Sequence, residues 1–125
     1  MVAVDTNILV RFITNDDKEQ SPRARIILEQ ATPGSLLLDR LILAEVGYVL
    51  RSGYGFSKSQ IASVYSTLLG ESIFFVPNHE TLEAAVKLYG SERPLSFEDC
   101  YLLALKQTGK VDSVHTFDQN LQKRL

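Results

Sequence analysis

Cysteine is almost missing from these 125 residues, and tryptophan is missing altogether. A lone thiol, Cys100, cannot close an internal disulfide, so the fold needs no oxidising compartment and a cytoplasmic location is expected. One cysteine and two histidines without paired spacing also cannot build a structural zinc site. No apolar run approaches the roughly 18 residues of a membrane span. The opening MVAVDTNILV carries an aspartate inside its apolar stretch and no basic flank, which reads as the start of a fold and not as a signal peptide. A basic excess is absent too: 13 Lys and Arg face 15 Asp and Glu, a formal net charge of -2. Binding duplex nucleic acid chiefly by neutralising phosphates is thereby disfavoured, although a local basic rim is not. Neither a P-loop nor G-x-G-x-x-G occurs, so nucleotide-cofactor chemistry loses its main support, and no G-x-S-x-G elbow signals a Ser-His-Asp hydrolase. Repeats, low-complexity segments and linkers are lacking, and residues 1–125 are expected to form a single domain.

What is present suits a globular chain. Hydrophobic residues make up 45% and charged residues 22%, which excludes the composition of disordered segments. Val2-Ala3-Val4 reads as a strand ending at Asp5, after which Ile8, Leu9, Phe12 and Ile13 take helical spacing. Ser21-Pro22 reads as N-cap and first helical residue of a helix with Ile26, Ile27 and Ala31, stopping near Pro33-Gly34. Ser35–Leu38 is a second strand, and a helix around Leu41–Leu50 should end at the Gly53 and Gly55 breaks. Ser57-x-x-Gln60 is a capping box ahead of Ile61, Val64, Leu68 and Leu69. Ser72–Val76 makes a third strand closed by Pro77, followed by a helix capped by Asn78 and ended by Gly90. Ser96-x-x-Asp99 is a second capping box, its helix ended by Gly109; Ser113–Thr116 is a fourth strand, and Leu121–Leu125 adds a turn of helix. Short apolar strands alternating with amphipathic helices predict an α/β fold, a three-layer αβα sandwich with a short central parallel sheet.

Ligands of such sheets bind beyond the carboxyl ends of the strands, which directs attention to acids there. Asp5 follows the first strand and Asp118 the fourth; Glu45 interrupts the apolar stretch Leu41–Val46; Asp99 heads the apolar helix from Cys100. Each has a bland role open to it, as a helix cap, a first-turn acid or a charge at the edge of an apolar face. Together they imply a pocket that repels itself unless hard cations enter, and all-oxygen ligation suits Mg²⁺ or Mn²⁺.

Asp5-Thr6-Asn7 after an opening strand, Glu45-Val46 in a helix, Phe97-Glu98-Asp99-Cys100 opening a helix and Thr116-Phe117-Asp118 near the end resemble the PIN domain family. The start Val4–Arg11 and Asn15-Asp16-Asp17 look most like the VapC-type toxin ribonucleases of toxin-antitoxin pairs. The resemblance implies a metal-dependent endoribonuclease (a hydrolase) that cuts RNA with a metal-activated water. Asp5, Glu45, Asp99 and Asp118 are then the catalytic and metal-binding acids, with Mg²⁺ or Mn²⁺ as cofactor. It also implies polar support from Thr6, Asn7 and Thr116, a homodimer, and a cognate VapB-type antitoxin that blocks the site. Glu98 beside Asp99 is an alternative acid, but helical neighbours point about 100° apart, so one of them should face the pocket. Arg11, Arg40, Arg51 and Arg93 are candidate phosphate contacts on the rim. The family commonly continues into a final strand, whereas this sequence stops at Lys123-Arg124-Leu125. Two other classes compete: an aspartate-nucleophile Mg-dependent phosphatase, weakened because Asn7 stands where a second Asp is usual, and a catalytically inactive PIN-like binding module.

Overall fold

Three two-residue strands, β1 (Val2–Ala3), β2 (Leu36–Leu37) and β3 (Phe74–Phe75), form a parallel sheet in the order β1-β2-β3 in the computed structural model, which describes residues 1–91 and 94–125. Val2 pairs with Leu36 and Leu37 with Phe75. Parallel strands require helical crossovers. Helices α1 (Thr6–Thr14) and α2 (Gln20–Glu29) connect β1 to β2; α3 (Arg40–Tyr54) and α4 (Lys58–Gly70) connect β2 to β3. Helices α5 (His79–Ser91), α6 (Phe97–Gln107) and α7 (Gln119–Gln122) follow. This is the α/β architecture expected. One apolar core joins all the layers: Leu38 beyond β2, Leu9 of α1, Leu43, Val46 and Leu50 of α3, Ile61 of α4, Ala85 of α5, Cys100 and Ala104 of α6, and Leu121 of α7 are fully buried.

Both capping boxes form as read. The Ser57 hydroxyl accepts from Gln60 N at 3.1 Å, and Gln60 Oε1 accepts from Ser57 N at 2.8 Å. Gly55 ends α3 in the left-handed region, φ 71°, which costs glycine nothing.

Four expectations need correction. Ser113–Thr116 forms no strand: among the described residues its backbone groups join no ladder, so β1 is an edge, with Val2 55% exposed. Helix α2 begins at Gln20, before Ser21, because Asp17 Oδ1 accepts from Glu19 N and Gln20 N at 3.0 and 2.7 Å. Ser21 is buried instead, donating to Arg11 O at 2.9 Å, and α2 turns Ser21, Ala24 and Leu28 inward while Ile26 and Ile27 stay exposed. Helix α5 passes through Gly90 to Ser91; the glycine keeps helical backbone, and a Cβ there would meet that of Ala62 at an ordinary contact distance of 3.4 Å.

Gly47 marks a close approach of α3 to α4. Its face of α3 lies against Tyr65, which is buried from α4 and donates its hydroxyl hydrogen bond to Leu43 O. A methyl group at position 47 would collide with the Tyr65 hydroxyl. Burial pushes the Tyr65 phenol up from its ordinary value, so it serves as a neutral donor.

At the other end of α3, Arg11, Asp16 and Tyr54 lock α1 and α3 together. Arg11 Nη1 donates to Asp16 Oδ1 at 3.0 Å and Nε to Gln20 Oε1 at 2.9 Å. The Tyr54 and Thr14 hydroxyls donate to Asp16 at 2.6 and 2.7 Å. Tyr54 first, then Thr14 and Arg11, hold the Asp16 carboxyl down to about 2, against 3.8 ordinarily.

Two outcomes follow from these contacts. Gly47→Ala should destabilise the fold by about 1–3 kcal/mol in urea unfolding, the usual cost of overpacking, and the Gly47→Ala/Tyr65→Phe double variant should lose less than the sum of the singles. Additive losses would mean that the hydroxyl contact does not set the helix spacing. Because Asp16 titrates lower folded than unfolded, its stabilisation is complete above about pH 4 and lost as the pH falls through about 2. The stability gap between wild type and Asp16→Asn, measured as the urea midpoint, should therefore narrow across that window; a constant gap would contradict the assignment.

Candidate functional site

Asp5 lies just past the carboxyl end of β1 and caps α1, with Oδ1 accepting from Asn7 N at 3.4 Å. It is exposed, and with Asn7, Ile8, Arg11, Gln20, Arg23 and Ile27 it lines a groove of about 250 Å³ between α1 and α2. Thr6, half-buried, is the first residue of α1. Asp118 caps α7 in the same way: Oδ1 accepts from Leu121 N at 2.9 Å, while its own N–H donates to Thr116 Oγ1 at 3.0 Å. Thr116 O also accepts from Gln122 Nε2 at 2.6 Å, so this threonine ties the segment before α7 to α7 itself.

Asp99 is the third helical residue of α6 and closes its capping box, Oδ2 accepting from Ser96 N at 3.3 Å and Asp99 N donating to Ser96 Oγ at 3.1 Å. Its neighbour Glu98 points elsewhere, into a trough lined by Tyr65 and Tyr89. Glu45 stands on the exposed side of α3 without a hydrogen bond or ion pair among the described residues.

None of the four acids is neutralised by a lysine or arginine among the described residues; the ion pairs there are Arg11–Asp16 and His79–Glu83. Nor do three His, Cys, Asp or Glu side chains among the described residues converge into a group that holds a metal ion. The physical reason lies in the caps. Asp5, Asp99 and Asp118 each spend one carboxylate oxygen on backbone N–H groups of their own helix, which leaves the other free and aims the group along that helix. The donor chemistry is nonetheless all oxygen, as Mg²⁺ and Mn²⁺ require.

The candidate phosphate contacts divide. Arg11 is engaged by Asp16 and Gln20. Arg40 is exposed at the start of α3 and lies over the Tyr101 ring of α6, 5.3 Å from its centroid. Arg51 lines the trough with Tyr89, and its positive charge opposes the upward push of burial on that phenol. Arg93 lies outside the described residues. His79 is engaged by Leu69 O at 3.0 Å and by Glu83.

The sequence reading missed the Arg11–Asp16–Tyr54 lock and the trough. Tyr54 is 38 residues from Asp16, and no local spacing connects them. The trough's signal was visible only in part, as Tyr48 and Arg51 three residues apart on one helix.

The PIN domain family model matches residues 2–124. The VapC ribonuclease of Aquifex aeolicus (strain VF5) is 25% identical over 124 residues, covering 98% of this chain and 91% of that protein. No solved structure matches the chain. An α/β fold on a short parallel sheet and a family match over residues 2–124 agree: the chain belongs to the PIN domain family.

Proposed function

We propose that this chain is a metal-dependent endoribonuclease and the toxin component of a type II toxin-antitoxin pair. The observation that carries the reading is the family match across residues 2–124, which contains all four acids in order, none of them balanced by a cation among the described residues. Similarity to a VapC ribonuclease over 98% of the chain supports RNA as the substrate.

Asp5, Glu45, Asp99 and Asp118 would hold the metal. Magnesium commonly takes one or two protein carboxylates and completes its shell with water and substrate phosphate, so a closed three-residue cage is not required. A bound Mg²⁺ or Mn²⁺ supplies sign reversal at the anionic phosphodiester and an activated water. The chain's own residues do the rest. The helix caps fix one oxygen of each aspartate, Thr116 fixes the segment that carries Asp118, and Arg40 offers an exposed guanidinium to a phosphate. Phe12, Ile26 and Ile27 expose apolar surface on α1 and α2, and Ile27 also lines the groove that holds Asp5. That surface supports an antitoxin of the VapB type as partner, laid beside the site, and the reading includes a homodimer. No helix among the described residues is long and apolar enough to cross a membrane.

A second reading is favoured by the caps themselves: an inactive module whose aspartates only start helices. Two substitutions in one capping box separate the readings. Ser96→Ala should cost about 1 kcal/mol of stability and leave RNA cleavage intact, whereas Asp99→Asn should abolish cleavage at comparable or smaller cost. Cleavage that tracks stability equally in both variants would favour the inactive module.

The metal claim has its own measurement. With Mn²⁺ at about 100 times its dissociation constant, native-state binding adds roughly 2.7 kcal/mol, and the melting temperature should rise for wild type but far less for Asp5→Asn. Labelled RNA should be cut by wild type with Mg²⁺ or Mn²⁺ and spared by Asp5→Asn. Equal cutting by both proteins would assign the activity to a contaminant.

A further inference from the structure

The groove that holds Asp5 is also lined by two arginines, Arg11 from α1 and Arg23 from α2. They differ in what already engages them. Arg11 donates to Asp16 and to Gln20 Oε1, so its charge is offset. Arg23 is exposed and makes no hydrogen bond or ion pair among the described residues, although Glu19 stands only a turn before it. Gln20, three residues before Arg23 and on the same face of α2, adds to the donors. Arg11 Nε can only donate, so Gln20 turns its oxygen to it and keeps its NH₂ uncommitted among the described residues.

One groove therefore carries a carboxylate together with an unspent guanidinium and an amide donor. Its size narrows the occupant. At about 250 Å³ it falls below the roughly 300–1,000 Å³ of clefts that enclose a whole small molecule, so it suits one group of a longer ligand that runs past it. Its donors narrow the chemistry. A guanidinium presents a planar fork of N–H groups that matches the paired oxygens of a phosphate. Asp5 in the same groove is no bar to an anion, because the proposed function assigns it to a divalent cation, which reverses the local sign.

We propose that Arg23, with the Gln20 amide, holds a backbone phosphate of the RNA next to the bond that is cut, so that α2 forms one wall of the substrate site. The inference rests on the ribonuclease reading for its occupant. Of the two arginines in the groove, the one that no carboxylate engages is the one that meets the substrate, while Arg11 fixes the Gln20 side chain.

The test uses the whole chain and a short fluorescein-labelled RNA of mixed sequence, with anisotropy read in EDTA so that nothing is cut. Arg25 is the control: it is exposed on the same helix, carries the same charge and does not line the groove. Arg23→Ala should weaken binding about fivefold, the upper range for one exposed charged contact. It should also lower the slope of log affinity against log salt by about 0.7, the share of one phosphate on a single strand. Arg23→Lys should restore that slope but only part of the affinity, because a lysine keeps the charge and loses the fork. Arg25→Ala should bind as wild type does. With Mn²⁺ present, Arg23→Ala should raise KM about fivefold with little change in kcat, the mark of lost uniform binding. Melting temperatures should stay level, since Arg23 is exposed and touches no partner among the described residues. Equal weakening by Arg23→Ala and Arg25→Ala overturns the contact in favour of general surface charge. Unchanged affinity and KM in Arg23→Ala, with cleavage by wild type, overturns the contact and leaves the nuclease reading standing. Binding that depends on Arg23, with no cleavage by wild type, keeps the contact and overturns the nuclease reading instead.

Discussion

The helix N-terminus is the interaction on which the candidate site depends. A helix begins with backbone N–H groups that have no partner inside it, and the aligned peptide dipoles favour negative charge there. Asp5, Asp99 and Asp118 occupy such positions on α1, α6 and α7. Asp5 and Asp118 are fixed by the helices they cap and Asp99 by the N-cap backbone of its own helix, with one oxygen of each left uncommitted and no lysine or arginine among the described residues pairing with it. A cation from the protein would have satisfied the same charges and closed them to a ligand. The parallel sheet supplies the other half of the arrangement, because α1 begins within three residues of the end of β1.

Local chemistry made much of this legible. Ser57 with Gln60 and Ser96 with Asp99 are patterns in which both hydrogen bonds are set by a four-residue spacing, and both boxes form. Gly55 and Gly109 adopt the left-handed backbone that ends α3 and follows α6, as their positions after apolar runs implied. The failures share a different cause. Val114 and Thr116 have strand propensity, but a strand exists only when a partner accepts its ladder, and no spacing within residues 113–116 reveals whether one does. Ile26 and Ile27 looked like core because they are apolar. What faces the core from α2 is Ser21, Ala24 and Leu28, the first two small enough to let α2 approach α1 while Ser21 donates to Arg11 O. Gly90 looked like a terminator because glycine ends helices, whereas here it keeps helical backbone and α5 runs on to Ser91.

The site was legible to the same extent. Identity and order of the acids came from the sequence; what each acid touches did not. Glu98 and Asp99 are adjacent and chemically alike, yet Asp99 closes the capping box while Glu98 lines the trough, a division that follows from the roughly 100° turn between helical neighbours and from where Ser96 starts the helix. Similarly, four arginines read alike as rim cations. Arg11 is consumed by Asp16, whose own partners Thr14 and Tyr54 come from two different helices.

That distribution of arginines bears on how an acidic chain would hold a polyanion. With a net charge of -2 there is no long-range field to draw RNA in, and a guanidinium already paired with Asp16 adds little at the surface. Attraction then has to be local, from a cation such as Arg40, which is exposed, lies over the Tyr101 ring and carries no carboxylate ion pair among the described residues. A few local contacts release few counterions, so affinity would lean on stacking more than on phosphate neutralisation. A binding mode of that kind favours strands whose bases are already unpaired. On the proposed function, selectivity for single-stranded RNA would then come from the same shortage of positive charge that argues against binding duplexes by phosphate neutralisation.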